Sequence, residues 1–242
     1  MKKLQLLGLI ALLGLPLVLQ LTPLEILKLK VFDSWIKDQE PSNYFTVLNI
    51  TEEDIANEGG YPLSRQTLAQ IHVSLLRKGA IGVGWVLAFP QPDRFGGDFE
   101  FSEALSFSPS VLAMFEGEGD YPPTSGTVIL GPETTGGIMA TGVIQNIEVL
   151  KQNATQGIAV ARTDVDNLVR RLPLLMRTPD GWVSAYGTEV LKVLAGADTY
   201  VIRTNDNGVE EIRVKGLPPV KTDSFGRRWI SFVNTPQTNL GE

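Results

Sequence analysis

An uncharged apolar run opens the chain and constrains it more than any other feature. Leu4 to Leu24 contain no Asp, Glu, Lys or Arg, and Lys2 and Lys3 stand directly before them. As a helix rising about 1.5 Å per residue, this run of about twenty-one residues reaches about 31 Å, the hydrocarbon thickness of a bilayer. A cleavable secretory signal has a shorter apolar core and small residues at its cleavage site. Here the run leaves through Leu19-Gln20-Leu21-Thr22-Pro23, with no small-x-small pattern. The reading is therefore an uncleaved transmembrane signal anchor over residues 1–24, ahead of a cleaved signal or a buried helix. The short lysine flank stays cytoplasmic by the positive-inside rule, because the other flank, Glu25 to Glu40, carries more acids than lysines. Everything after the anchor is then expected outside an inner membrane, in a periplasm or an equivalent extracellular space.

Composition narrows what that outward part can be. There is no cysteine, so a disulfide framework and thiol chemistry are both absent, and the core must hold the fold unaided. Roughly 200 residues beyond the anchor suffice for one domain with a substantial core. The formal net charge is -6, and setting aside Lys2 and Lys3 leaves -8 for the remainder. Nucleic acid is not expected as a partner, and a broad grip on anionic headgroups is disfavoured. The membrane is expected as a partner through the anchor alone.

Hydrophobic patterning predicts an α/β fold with a mixed, largely parallel sheet flanked by helices. Leu24, Leu27, Val31 and Trp35, joined by Phe32 and Ile36, form a helical stripe that should pack on the domain, within a membrane-proximal helix over 25–40. The stretch 44–50 reads as a buried strand, and Thr51 with Asp54 as a capped turn. Ser64 caps a helix with Leu68, Ile71, Leu75 and Leu76 on one face, and Gly79 ends it. With the strand predicted at 81–89, this makes a parallel βαβ unit. Further elements are a helix at 98–105 and strands at 111–115, 127–130 and 157–161. A hairpin around Pro179-Asp180-Gly181 leads to a helix at 186–194 and a β-rich tail turning at Asn205-Asp206-Asn207-Gly208.

Few residues can carry chemistry. The single histidine, His72, sits beside Ile71 at the edge of an apolar helix face and reads as a core-edge group. One histidine and no cysteine leave almost no material for a zinc site or a histidine triad, and no cofactor is expected. Gly79, Gly82 and Gly84 run through a strand instead of preceding a helix, so they make no phosphate cradle. Glu116-Gly117-Glu118-Gly119-Asp120 could group carboxylates for a hard cation, but reads better as a solvated loop. Asp164-Val165-Asp166 follows a predicted strand, where such a pair can serve magnesium-dependent phosphoryl transfer. A membrane-anchored phosphohydrolase is the alternative function, weakened by Leu168 and by the lack of a later paired-acid motif.

The same residues, taken in order, resemble the type 2 CHASE domain, the extracellular sensory module of bacterial adenylate and guanylate cyclases, histidine kinases and serine/threonine kinases. The resemblance runs from about Phe32 to Val233. It rests on Phe32-Asp33-Ser34-Trp35, Asn49 to Asp54, Tyr61-Pro62-Leu63-Ser64-Arg65, Leu68-Ala69, Phe89-Pro90-Gln91-Pro92-Asp93, Asp98, Ala104-Leu105 and Asp164 to Leu174. The chain departs from the family where Asn49 and Val86 replace strand-end aspartates and Asn167 replaces a glycine. The resemblance implies a sensory domain over 41–242, incomplete at its C-terminus, whose relatives continue into three membrane helices and a catalytic output module. It further implies a homodimer that responds to an unknown small molecule or physical signal, with no catalytic residue of its own. Asn49, Asp98, Asp164, Asp166, Arg170 and Arg171 become the candidate ligand contacts, against a plainer reading as loop caps and salt bridges.

Overall fold

The computed structural model describes residues 22–36, 40, 42, 44–133, 136–233 and 237–239. Most of the anchor expected over 1–24 lies outside them. Among the described residues, no helix is long and apolar enough to cross a membrane.

In chain order the first elements are α1 (Thr22–Asp33), β1 (Val47–Asn49), α2 (Glu52–Asn57), α3 (Arg65–Arg77), β2 (Val83–Trp85), α4 (Asp98–Ser106) and β3 (Ser110–Glu116). There follow β4 (Thr127–Leu130), β5 (Val143–Ile144), α5 (Glu148–Lys151), β6 (Thr155–Ile158), β7 (Arg171–Pro173), β8 (Leu175–Thr178) and β9 (Gly181–Ser184). The last are α6 (Tyr186–Leu194), β10 (Tyr200–Asn205), β11 (Gly208–Val214), β12 (Val220–Lys221), β13 (Arg227–Trp229) and β14 (Gln237–Asn239).

β3 is the spine. Its Val111-Leu112-Ala113-Met114 run is buried throughout because both faces of the strand are covered. β2 and β6 flank it in parallel, and β5 meets its far end antiparallel. On one face Trp85 and Leu112 pack with Leu68, Phe101, Leu105 and Leu150 from α3, α4 and α5. Side chains alternate along a strand, so Gly84 faces the other way, and α6 lies against that face. A Cβ on Gly84 would stand 2.4 Å from the Tyr186 hydroxyl, and one on Gly157 would stand 2.6 Å from the Tyr186 Cα. These glycines let α6 approach the sheet closely.

A second sheet runs β12-β11-β10-β4 over its own core of Tyr200, Ile202, Val209 and Ile212, which also takes in Leu175 and Trp182. The β8–β9 hairpin joins the two halves. Its Met176 and Val183 pack with Met114 and Ile158 of the first sheet. Local signals act as their chemistry dictates. Thr51 and Asp54 form a reciprocal capping box, and the Ser64 hydroxyl accepts from the Thr67 N–H. Gly79 follows α3 at a φ of +100°.

Four expectations are corrected. The βαβ unit does not form: β1 pairs with β14, whereas β2 pairs with β3. The stretch 44–50 is not a buried strand, since Tyr44, Phe45 and Val47 are exposed and only three residues pair. β-propensity reports fitness for a pleated surface and is silent about which sheet supplies it. The helical stripe of α1 meets the domain only in part: Leu24, Leu27, Val31 and Trp35 are exposed, Phe32 and Ile36 are half-buried, and Leu29, outside the stripe, is the buried residue. Finally, the single, largely parallel sheet is in fact several small sheets, with parallel pairing in its β2-β3-β6 part and at β4–β10 and β1–β14.

Candidate functional site

β6 runs out into a loop whose tight turn decides where its charges go. The Asn167 N–H donates to the Asp164 carbonyl at 3.0 Å, and the Asp164 N–H donates to the Leu168 carbonyl at 2.8 Å. Asn167 sits in the left-handed region at a φ of +63°, which asparagine tolerates better than most residues. This closure turns Asp164 and Asp166 back toward Arg170.

Arg170 is the hub, with its side chain only 2% exposed. Its Nε and Nη2 donate to the two carboxylate oxygens of Asp33 at 2.6 and 2.8 Å. Its Nη1 and Nη2 donate to the two oxygens of Asp166, both at 2.7 Å, and Nη1 also reaches Asp164 Oδ2 at 3.4 Å. A planar guanidinium offers five donors in a fixed fork, which is why one arginine can hold two bidentate carboxylates at once. A buried charge is tolerated only when compensated in this way. These bonds hold the Asp166 carboxyl at a pKa of about 2 and lower that of Asp33 as well. Hydrogen bonds donated to Asp166, and then to Asp33, keep Arg170 charged well above the ordinary arginine range.

Arg171 extends the cluster. Its Nη2 bonds Asp164 Oδ1, its Nη1 lies 3.8 Å from Asp223, and its guanidinium lies 5.0 Å from the centre of the Trp229 ring. The Phe32 ring is 4.2 Å from that same Trp229 ring. The Arg170 carbonyl accepts from the Ile230 N–H at 2.8 Å, and Asp223 accepts from Arg227 Nε at 2.8 Å. α1, the 164–170 loop, β7 and β13 are thus locked at one point, by charge through Arg170 and by ring contact through Trp229.

Of the six candidate residues, this point gathers Asp164, Asp166, Arg170 and Arg171. Asp98 belongs to a different network. Its Oδ2 accepts from the Asp93 N–H at 2.9 Å, and its Oδ1 lies 3.6 Å from Arg65 Nε, which fixes the start of α4 against α3. Asn49 ends β1, opposite Asn239. Asp33, Asp223 and Trp229 were missed as site residues, although Phe32-Asp33-Ser34-Trp35 already carried part of the signal. Every carboxylate oxygen of Asp164 and Asp166 accepts from an arginine, so neither aspartate presents the unengaged oxygen that nucleophilic phosphoryl transfer requires. Among the described residues, no group of three acids or histidines is placed to hold a metal ion.

A family model described as the CHASE2 domain matches residues 8–240. The chain belongs to the CHASE2 domain family. No curated protein and no solved structure matches it. CHASE2 domains are extracellular sensory domains and not catalytic ones. The matched region takes in α1 and every residue of the Arg170 cluster, so in this CHASE2 domain the docked helix lies within the family unit.

Proposed function

We propose that this CHASE2 domain is the extracytoplasmic input half of a transmembrane signalling receptor, anchored in an inner membrane by residues 1–24 with its N-terminus in the cytoplasm. Its output is a cyclase or protein kinase module. The observation that carries this reading is the fork of Arg170, which joins Asp33 on α1 to Asp164 and Asp166 on the sensor loop. A signal is transmitted when it favours one arrangement of loop and helix over another. The two sides of the fork are unequal. Asp33 is 36% exposed, against 7% for Asp164 and 10% for Asp166, so water competes best for Asp33. In the released arrangement Arg170 stays with the loop and α1 moves free of it. The receptor works as a homodimer, each copy sending one α1 toward the membrane. The Asp-x-Asp phosphohydrolase reading has no geometric support, since both aspartates are committed to arginine.

The absence of cysteine makes the placement directly testable. Asn207→Cys, in the exposed β10–β11 turn, should react with a membrane-impermeant maleimide in intact cells, and Lys3→Cys only after permeabilisation. Labelling of Asn207→Cys solely in broken cells would overturn the proposal.

A further inference from the structure

We propose that the cleft between α5 and α6, along β6, binds a small organic carboxylate; this deepens the sensory reading above and rests on it. The cleft measures about 460 Å³, a volume suited to a small molecule. Met114 and Val183 give it an apolar floor. Lys151 of α5 and Lys192 of α6 line it together with Thr155 and Gln156 of β6.

Hydrogen-bond accounting selects the ligand. Glu189 also lines the cleft, but its carboxylate is spent inside the protein. Oε2 accepts from the Ser184 and Tyr200 hydroxyls at 2.6 and 2.7 Å, and Oε1 pairs with Lys192 Nζ at 2.8 Å. The Gln156 carbonyl oxygen is taken by the Asn146 side-chain amide at 2.7 Å and backbone N–H at 3.2 Å, which leaves its NH₂ group to donate. Lys192 is fixed as well as charged: its Nζ lies 5.2 Å from the Tyr200 ring centre and its side chain is 14% exposed. An ammonium has three donors, and Glu189 is its one ionic partner among the described residues. Of the charged and amide side chains facing the cleft, Lys151, Lys192 and the Gln156 NH₂ group are therefore left as donors to a ligand.

Glu148 is the exception, and it supports the same choice. Its carboxylate, 76% exposed, lies 2.7 Å from Lys151 Nζ, where a ligand carboxylate would sit. Exposed pairs of this kind contribute little, so a ligand displaces Glu148 at small cost. A carboxylate held between the two lysines leaves its carbon stem over Met114 and Val183. The ligand would then touch β6, the strand whose chain runs on into Asp164 and the Arg170 fork.

The test uses the full chain in mild detergent with butyrate, succinate and citrate as probes. Succinamide and sodium chloride at matched ionic strength serve as controls. At least one acid should raise the melting temperature saturably, and the controls should not. Lys151→Gln should weaken that binding about tenfold, the loss of one charge-assisted hydrogen bond, and leave the ligand-free melting temperature unchanged. Thr155→Val, on the exposed start of β6, should weaken it less and serves should Lys151→Gln fail to fold. Stabilisation by none of the three acids, equal stabilisation by succinamide or chloride, or wild-type affinity in the substituted chains would each overturn the proposal. Asn207→Cys labelling stays independent: if it reports an outward domain while the acids fail, only the cleft is lost.

Discussion

Acidification should destabilise this domain through a single side chain. His72 is the chain's one histidine and is fully buried in α3, at 0% exposure. Its Nδ1 accepts from the Trp85 indole N–H at 3.3 Å, so the ring proton resides on Nε2, 3.3 Å from the Ser108 hydroxyl. Burial lowers its pKa from 6.5 to about 4. In that interval the unfolded chain binds a proton that the native chain refuses, so stability rises with pH and falls as pH drops below 6.5. A shift of this size corresponds to about 3 kcal/mol when complete, of which about 2 kcal/mol is lost between pH 7 and pH 5. At pH 5 ordinary carboxylates are still ionised, which isolates the histidine. Urea unfolding of the full chain in detergent, followed by tryptophan fluorescence at pH 7, 6 and 5, measures the slope. His72→Gln keeps an acceptor for the Trp85 indole and should flatten it. The same pH dependence in both chains would refute the reasoning.

Other perturbations report on the fork and the core. Asp33→Asn removes one charged arm from Arg170 and should speed amide exchange in α1 while leaving β3 protected; unchanged α1 exchange would argue against charge-held docking. Gly157→Ala drives a Cβ to 2.6 Å from the Tyr186 backbone and should cost about 1–3 kcal/mol in urea unfolding, whereas Gly187→Ala, with open space around its Cβ, should stabilise α6 by up to about 1 kcal/mol. Asn146→Ala strips partners from the Phe89 N–H and the Ala113 carbonyl, both inside the fold, and should cost about 2–3 kcal/mol by the same assay.

What the chain spells out locally, it keeps. Ser64 and Gly79 bracket α3, Thr51 and Asp54 cap α2, and the turn at 205–208 folds β10 onto β11, because each signal lies within a few residues of the group it satisfies. The run 111–115 reads as a strand, and β3 spans Ser110–Glu116. Partnership was not legible. Asp33 and Arg170 both lie in the motifs of the family resemblance, but nothing in their neighbourhoods says that they meet across 137 residues. The face of α1 was misjudged for a related reason: periodicity finds an apolar stripe, yet Leu29 and Phe32 found a fitting surface on the domain and Leu27 and Trp35 did not.

The sequence alone determined an uncharged apolar run at 4–24, an acidic cysteine-free remainder with a single histidine, and an α/β alternation. Tertiary structure decided which strands share a sheet, that Asp164 and Asp166 serve an arginine, and that α5, β6 and α6 leave a cleft between two lysines. Local preference is set by neighbours within a turn of chain, whereas pairing, burial and charge compensation are settled only when distant segments compete for the same partner.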